Sequence, residues 1–433
     1  MTVNGVNKGP HWLDTVVSLV FVWVFFVVLD AATVSRAVAG DPDDDTKAAP
    51  KRSLRSPGSS EYLQRASVER KKGFRGAMSA ELIWDGGDSV AIPSSMLPPR
   101  SDQMTGTAAE RLAELAGRTC YESMGKGRSS DDYHKHILGV KHLNVHQHWH
   151  VTVSVNADDD RELVSWMVNR PGVYVHLDDD GACPRLTFSP RCLIEWERYG
   201  PDFCKGGQND IGRDLRVLIQ PAAPRLLSEQ GRVTRNDYFV VSAPAHPREQ
   251  WVSLYVRASR GTVQELLRHS YDAAPSMRST RYCDEGETPH LVPPLLNASW
   301  DWQAEIPQPL KNGTLGYVGN VSDAARQAYA AVYEALYGWL VHKGVSKSTA
   351  RKQAREAARE YLPLALETQL VFSASVWEWK NIIEMRCTNE AGAGIRVLTN
   401  EAHSALLTSR YSGAFQGYEF VPAEDGIGKV LKK

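Results

Sequence analysis

Hydrophobic and polar positions change rhythm along the chain. Residues 79–84 (SAELIW) and 149–155 (WHVTVSV) alternate with a period of two, which predicts strands. Between them, 107–117 (TAAERLAELAG) has helical spacing. Thr107 and Glu110 form a capping box at its start, and Gly117 is expected to close it. Residues 156–256 mix short β-like runs (GVYVHL, DYFVVSA, WVSLYVRA) with loops rich in Pro, Gly and Asp. Thr262 and Glu265 make a second capping box, so a helix is predicted over 263–270. Residues 283–321 read as loop. The remainder is mostly helical: Tyr329, Val332, Leu336 and Leu340 share one face of 323–342, Pro363 stops a charged helix over 348–361, and 374–386 forms another rich in Trp and Ile. No internal repeat is present.

The first 77 residues follow neither rhythm. Val16 to Leu29 is an almost wholly apolar run of 14 residues, short of the roughly 20 that span a bilayer. Ala37-Val38-Ala39 resembles a signal-peptidase site, while Asp14 and Asp30 interrupt the pattern. Three readings stand: a start-site artefact, a signal peptide or membrane anchor, or a buried element. Residues 41–77 run acidic, then basic, with Pro, Ser and Gly between. Too little apolar surface is present there to offset ordering entropy, so a disordered linker is predicted, with Met78 a candidate alternative start. The expected organisation is a leader (1–40), a linker (41–77), a main domain in two parts (78–155 and 257–410) around an insertion (156–256), and a tail (411–433).

Composition narrows the function classes. The 433 residues are 42% hydrophobic and 23% charged with a net charge of -1, which excludes a collagen-like, wholly disordered or polytopic membrane protein. The same balance argues against bulk nucleic-acid binding but is compatible with a basic pocket for one phosphate. The six cysteines contain no CxxC pair, so a reduced, cytoplasmic protein is the default expectation. Export or anchoring through 16–39 is the alternative, and only then do the sequons at Asn297, Asn312 and Asn320 matter.

Candidate chemistry sits in four segments: 117–121 (GRTCY), 142–148 (HLNVHQH), 264–282 and 358–395. Gln264 and Arg268 are four apart and share a helical face. Arg268 and His269 place donors at the end of that helix, and Ser279 and Arg281 follow. A hydroxyl with a guanidinium suits a phosphate monoester; an ordinary solvated helix with a surface Arg is the competing reading.

These segments resemble the flavin-dependent thymidylate synthases. That family carries Arg-His-Arg, a seven-residue gap and Ser, continuing Ser-x-Arg-Tyr. Here Arg268-His269-Ser270 is followed by Ser279-Thr280-Arg281-Tyr282. The family's Ala-Arg-x-Cys-Tyr opening is similar to Gly117 to Tyr121, its Gly-His-x-Ser/Thr-x-x-Glu-His segment to Lys141 to His148, and its Ala-Arg-x-x-Leu-Pro…Thr segment to Ala358 to Thr368. The resemblance covers about 78–155 and 255–405, and NRPGVYV and RCLIEWERY look like the insertion of longer members.

The resemblance implies an α+β fold, a mixed or antiparallel sheet flanked by helices with a mostly helical C-terminal part. It implies C5-methylation of dUMP to dTMP, with methylenetetrahydrofolate as carbon donor and NADPH-reduced FAD as hydride source, in a homotetramer with shared active sites. Carried across, Gln264, Ser279, Arg281 and Arg359 would hold dUMP. Arg386 would be the catalytic residue, facing the pyrimidine and favouring its anionic form. His142, Asn144, Arg268, His269 and Asn381 would hold FAD. No resident metal, nucleic acid or stable membrane partner is expected.

The chain departs from the pattern at several places. Ser270 replaces the third signature residue, the gap to Ser279 is one residue longer, and the signature's Glu falls near Met277. An Asn and an Arg that usually contact flavin or folate fall at Ser375 and Trp377, and Gln147 stands where an acidic residue precedes His148. Three other functions therefore stay open: C5-modification of UMP or another pyrimidine nucleotide, a catalytically inactive nucleotide-binding homologue, and a metal-dependent enzyme. The last rests on His146, His148 and His150, which would share one face of a strand. A polar strand edge is the simpler reading of these three. Cys120, Cys283 and Cys387 are candidate nucleophiles, of which only Cys387 adjoins a cation, Arg386.

Overall fold

The computed structural model describes residues 74–75, 78–96, 104–156, 161–168, 172–177, 183–199, 211–227, 231–234, 237–294, 308–421 and 427–433. The leader, nearly all of the predicted linker and Asn297 lie outside the described residues. In chain order the elements are β1 (Phe74–Arg75), β2 (Ser79–Trp84), α1 (Ala108–Tyr121), α2 (Ser130–Gly139), β3 (Val151–Ser154), α3 (Arg161–Met167), β4 (Val173–His176), β5 (Arg185–Phe188), α4 (Pro190–Tyr199), α5 (Ile211–Ile219) and β6 (Phe239–Val240). They continue with β7 (Trp251–Ser259), α6 (Arg260–Leu266), β8 (Ala273–Met277), β9 (His290–Leu291), α7 (Gln308–His342), α8 (Lys347–Ala358), β10 (Glu367–Ser375), α9 (Val376–Arg386), α10 (Ala393–Leu406), β11 (Tyr418–Val421) and β12 (Lys429–Lys432).

The main sheet is antiparallel in the order β2-β7-β10-β8. Its central strands are buried on both faces, and their period of two sorts side chains between two cores. Val252, Leu254, Val256 and Ala258 of β7 join Leu370, Phe372 and Ala374 of β10 under α6, α9 and α10. Trp251, Tyr255, Val371 and Ala274 face the other way, onto Leu112, Leu115 and Ala116 of α1. α9 contributes Val376, Trp379, Ile382 and Ile383 at helical spacing, and the Trp379 indole N–H donates to the Val252 carbonyl at 3.1 Å. A second antiparallel sheet, β4-β5-β3-β6, packs a core of its own with α4 and α5.

The mixed α+β character and antiparallel sheets agree with expectation; several element boundaries do not. The Thr107–Glu110 capping box forms, but the helix runs on to Tyr121 and Glu122 caps it in the left-handed region (φ 47°). Gly117 is an interior residue there, not a stop. Thr262 does not cap the next helix: Ser259 does, accepting from the Thr262 N–H, so α6 spans Arg260–Leu266 instead of 263–270. Residues 367–375 were not anticipated as a strand, and 374–375 end β10 where a helix was expected. Residues 308–321, read as loop, belong to α7. Phe74–Arg75, read as linker, pair in parallel with β9.

Candidate functional site

Two groups of predicted site residues form, at opposite ends of β8. His269 precedes that strand and Ser279 follows it; four steps along it advance about 14 Å.

The first group is built on α6 and α9. Arg386, in the last turn of α9, donates from Nε–H to His269 Nε2 at 2.9 Å. That bond leaves the ring proton on Nδ1, which faces Glu378 Oε1 at 3.3 Å. Asn381 Nδ2–H reaches the same carboxylate, 3.4 Å from each oxygen. Glu378 is 2% exposed and His269 6%. A buried carboxylate is costly unless paired, and here the helix supplies part of the compensation. Ser375 caps α9 by accepting the Glu378 N–H, so Glu378 lies in the first turn beside the positive end of the helix dipole. The chain Arg386–His269–Glu378–Asn381 thus fixes the Arg386 guanidinium in direction. Sequence reading missed Glu378, although Ser375-x-x-Glu378 is a capping-box spacing that could have marked it. Arg268 is exposed beside this group.

The second group gathers around residues 278–282. Ser279 N–H donates to the Cys120 carbonyl at 2.9 Å, tying this segment to the end of α1. Arg281 N–H reaches Ser279 Oγ at 3.3 Å, and the Arg281 guanidinium pairs with Glu356 of α8 at 3.3 Å. Arg359 lies three residues beyond Glu356, with only exposed Glu360 as an ion-pair partner at 3.7 Å among the described residues. Burial, with Arg359 and Arg278 nearby, pushes the Arg260 guanidinium below its usual range, and its Nη1 is buried without a partner among the described residues. Tyr282 meets Tyr121 edge to face at 5.0 Å, and the Tyr121 hydroxyl is 3.0 Å from His142 Nδ1. Burial pushes Tyr121 up to about 12 and His142 down, so the pair is neutral near pH 7. Gln264 and Asn144 are exposed and join neither group through a described contact.

The histidine triplet does not form a metal site. Residues 143–147 make a 3₁₀ turn, not a strand, and the three rings part ways. His148 sits between Ser373 Oγ at 2.8 Å and Ser276 Oγ at 2.7 Å in the core. Burial pushes it down to about 3. His150 stacks on Trp251 at 3.4 Å, and His146 packs beside His134. No group of three or more metal-ligating side chains occurs among the described residues. The thiols are no better placed: burial pushes Cys120 up to about 12 and raises Cys283 and Cys387. Despite its neighbour Arg386, Cys387 is buried against Thr399 Oγ1 at 3.1 Å. No helix among the described residues is long and apolar enough to cross a membrane.

The described residues define a class of antiparallel α+β protein with arginines gathered at strand and helix ends and with Cys120, Cys192, Cys283 and Cys387 buried. Comparison with known proteins gives that class a family. Residues 244–407 match the family described as thymidylate synthase complementing protein, and this part of the chain belongs to it. Flavin-dependent thymidylate synthases of Mycobacterium sp. strains KMS, JLS and MCS are each 32% identical over 179 residues, covering 40% of this chain and 65% of the relative. The chain thus spans just under two thirds of the length of these curated relatives.

Proposed function

We propose that the protein methylates C5 of dUMP to give dTMP, using methylenetetrahydrofolate, NADPH and FAD. The observation that carries this reading is the fixed Arg386 guanidinium, oriented by His269 and Glu378. A permanent cation beside the pyrimidine stabilises negative charge as C5 attacks the one-carbon unit, so no thiolate is needed. Ser279, Arg281 and Arg359 bind the phosphate, with Gln264 on the adjoining helix. The residues present suit a flavin dinucleotide: exposed Arg268 and Asn144 and half-buried His142 and Asn381 offer donors at the surface. When bound, FAD supplies the hydride.

His269, which holds Arg386, precedes β8 and the Ser279–Arg281 segment follows it, which supports a site shared between chains. The reading therefore includes a second copy, each contributing one group, within a homotetramer. The experiment is direct: purified protein should be yellow, and with folate donor and NADPH it should release tritium from 5-tritiated dUMP and not from UMP. Release from UMP alone would shift the substrate. A colourless protein that binds dUMP without release would make it an inactive homologue, a reading that Ser270 and Trp377 favour.

A further inference from the structure

β8 lies between His269 and Ser279, yet little in its sequence favours a strand. It reads Ala-Ala-Pro-Ser-Met, and alanine and proline are both depleted in strands. Pro275, opposite Phe372 of β10, has no N–H to give the ladder. β8 also stands at the edge of the main sheet, with β10 as its neighbour. A side chain from outside the sheet reinforces it. Period two puts Ser276 on the Ala274 face of β8, and Ser253 of β7 and Ser373 of β10 on the Tyr255 and Val371 face, all towards α1. His148 reaches across these strands. Its Nε2 is 2.7 Å from Ser276 Oγ and its Nδ1 2.8 Å from Ser373 Oγ, while Ser373 Oγ is 2.6 Å from Ser253 Oγ. One imidazole thus ties three neighbouring strands.

All four side chains are buried. Burial keeps the ring neutral near pH 7, so it offers one donor and one acceptor, and a hydroxyl meets each. Removing the ring would strand these hydroxyls in the core. The contacts continue to the phosphate segment. The Ser276 hydroxyl also faces the Cys120 thiol. The Cys120 carbonyl in turn accepts the Ser279 N–H at 2.9 Å and the Cys283 thiol at 3.6 Å. On the other side, Arg278 N–H donates to the Gln369 carbonyl at 2.8 Å. Ser279 is therefore placed by the seating of β8 against α1 and β10.

We infer that His148 is a positioning residue: through Ser276 it fixes β8 and, on the phosphate reading of Ser279–Arg281, the grip of that segment on the nucleotide. His148→Phe keeps a ring and removes both bonds; Ser276→Ala removes one. In the full-length protein each should speed hydrogen exchange of residues 276–281 at least about fivefold while leaving residues 252–258 of β7 within about twofold. Each should also weaken dUMP, measured by calorimetry, at least about fivefold, and leave FAD, measured by its visible absorbance, within about twofold. The double variant should match His148→Phe within about twofold, because the two substitutions share one bond. If His148→Phe fails to fold, Ser276→Ala carries the same comparison. No binding of dUMP by the unmodified protein would end the phosphate reading, and exchange alone would then decide the role of His148. Exchange that rises equally in β7 and β8, exchange unchanged in both variants, or equal losses of dUMP and FAD would overturn the inference.

Discussion

At the scale of single residues, Arg386 carries the sharpest consequence. Its Nε–H is spent on His269, so the guanidinium plane is set before any substrate arrives. Lysine at this place keeps the charge but offers no planar fork. Arg386→Lys should fold normally and transfer the carbon at least about tenfold more slowly, a barrier increase of roughly 1.4 kcal/mol. Steady-state tritium release measures it, and near-normal turnover would return Arg386 to a structural role. Arg281 differs, since its partner Glu356 is half-exposed and the pair is worth little to the fold. Arg281→Ala should therefore leave stability unchanged while costing roughly 2–5 kcal/mol of dUMP affinity. Calorimetry with dUMP decides the point, and unchanged affinity would remove Arg281 from the phosphate site.

At the scale of elements, α1 shows packing overriding propensity. Alanine favours a helix interior over glycine by about 1 kcal/mol. At Gly117, however, a Cβ would lie 1.6 Å from the Tyr133 hydroxyl oxygen and 2.9 Å from its Cζ. Gly117→Ala should destabilise by about 1–3 kcal/mol through overpacking, and Tyr133→Phe in the same chain should recover part of the loss. Urea midpoints test both, and a stabilised Gly117→Ala would contradict the close approach of α1 to Tyr133. The buried imidazoles give a pH dependence. Burial holds His146 and His148 down to about 3 and His134 to about 4, against 6.5 for the unfolded ring. The unfolded state therefore binds more protons below pH 6.5. Stability from these rings is complete above that pH and is lost as pH falls towards 3–4, by up to roughly 1.4 kcal/mol per pH unit for each ring. Unfolding free energies at pH 7.5 and 5 should differ accordingly, and a flat profile would show that the rings are not buried neutral.

At the scale of the whole molecule, the proposed function predicts that the two site groups, on either side of β8, complete each other's site between two copies of the chain. Arg386→Ala supplies an intact Ser279–Arg281 segment, and Arg281→Ala supplies an intact Arg386–His269–Glu378 group. Each should be inactive alone. Mixed and reassembled, they should recover up to about a quarter of native sites by random assortment between copies. No recovery from a mixed assembly of confirmed composition would place both groups in the same chain's site.

Some of this was legible from residues alone. The period-two runs located β2 and β3, and the Thr107–Glu110 box located the start of α1, because alternation and capping are local and the chain carries them wherever it folds. The Arg-His and Ser-x-Arg-Tyr motifs were legible in the same way. What required the tertiary structure was everything set by partners distant in sequence. Gly117 looked like a helix stop until Tyr133 was seen against it. His146, His148 and His150 looked like one strand face until the 3₁₀ turn sent His148 between serines 128 and 225 residues away. Glu378 gains meaning only because α9 docks its first turn beside His269. Ser375-x-x-Glu378 was visible, but its partner was not. Local sequence fixes the backbone rhythm through propensity and period; which face meets which, and hence which donor meets which acceptor, is decided by burying both sides of β7 and β10 at once.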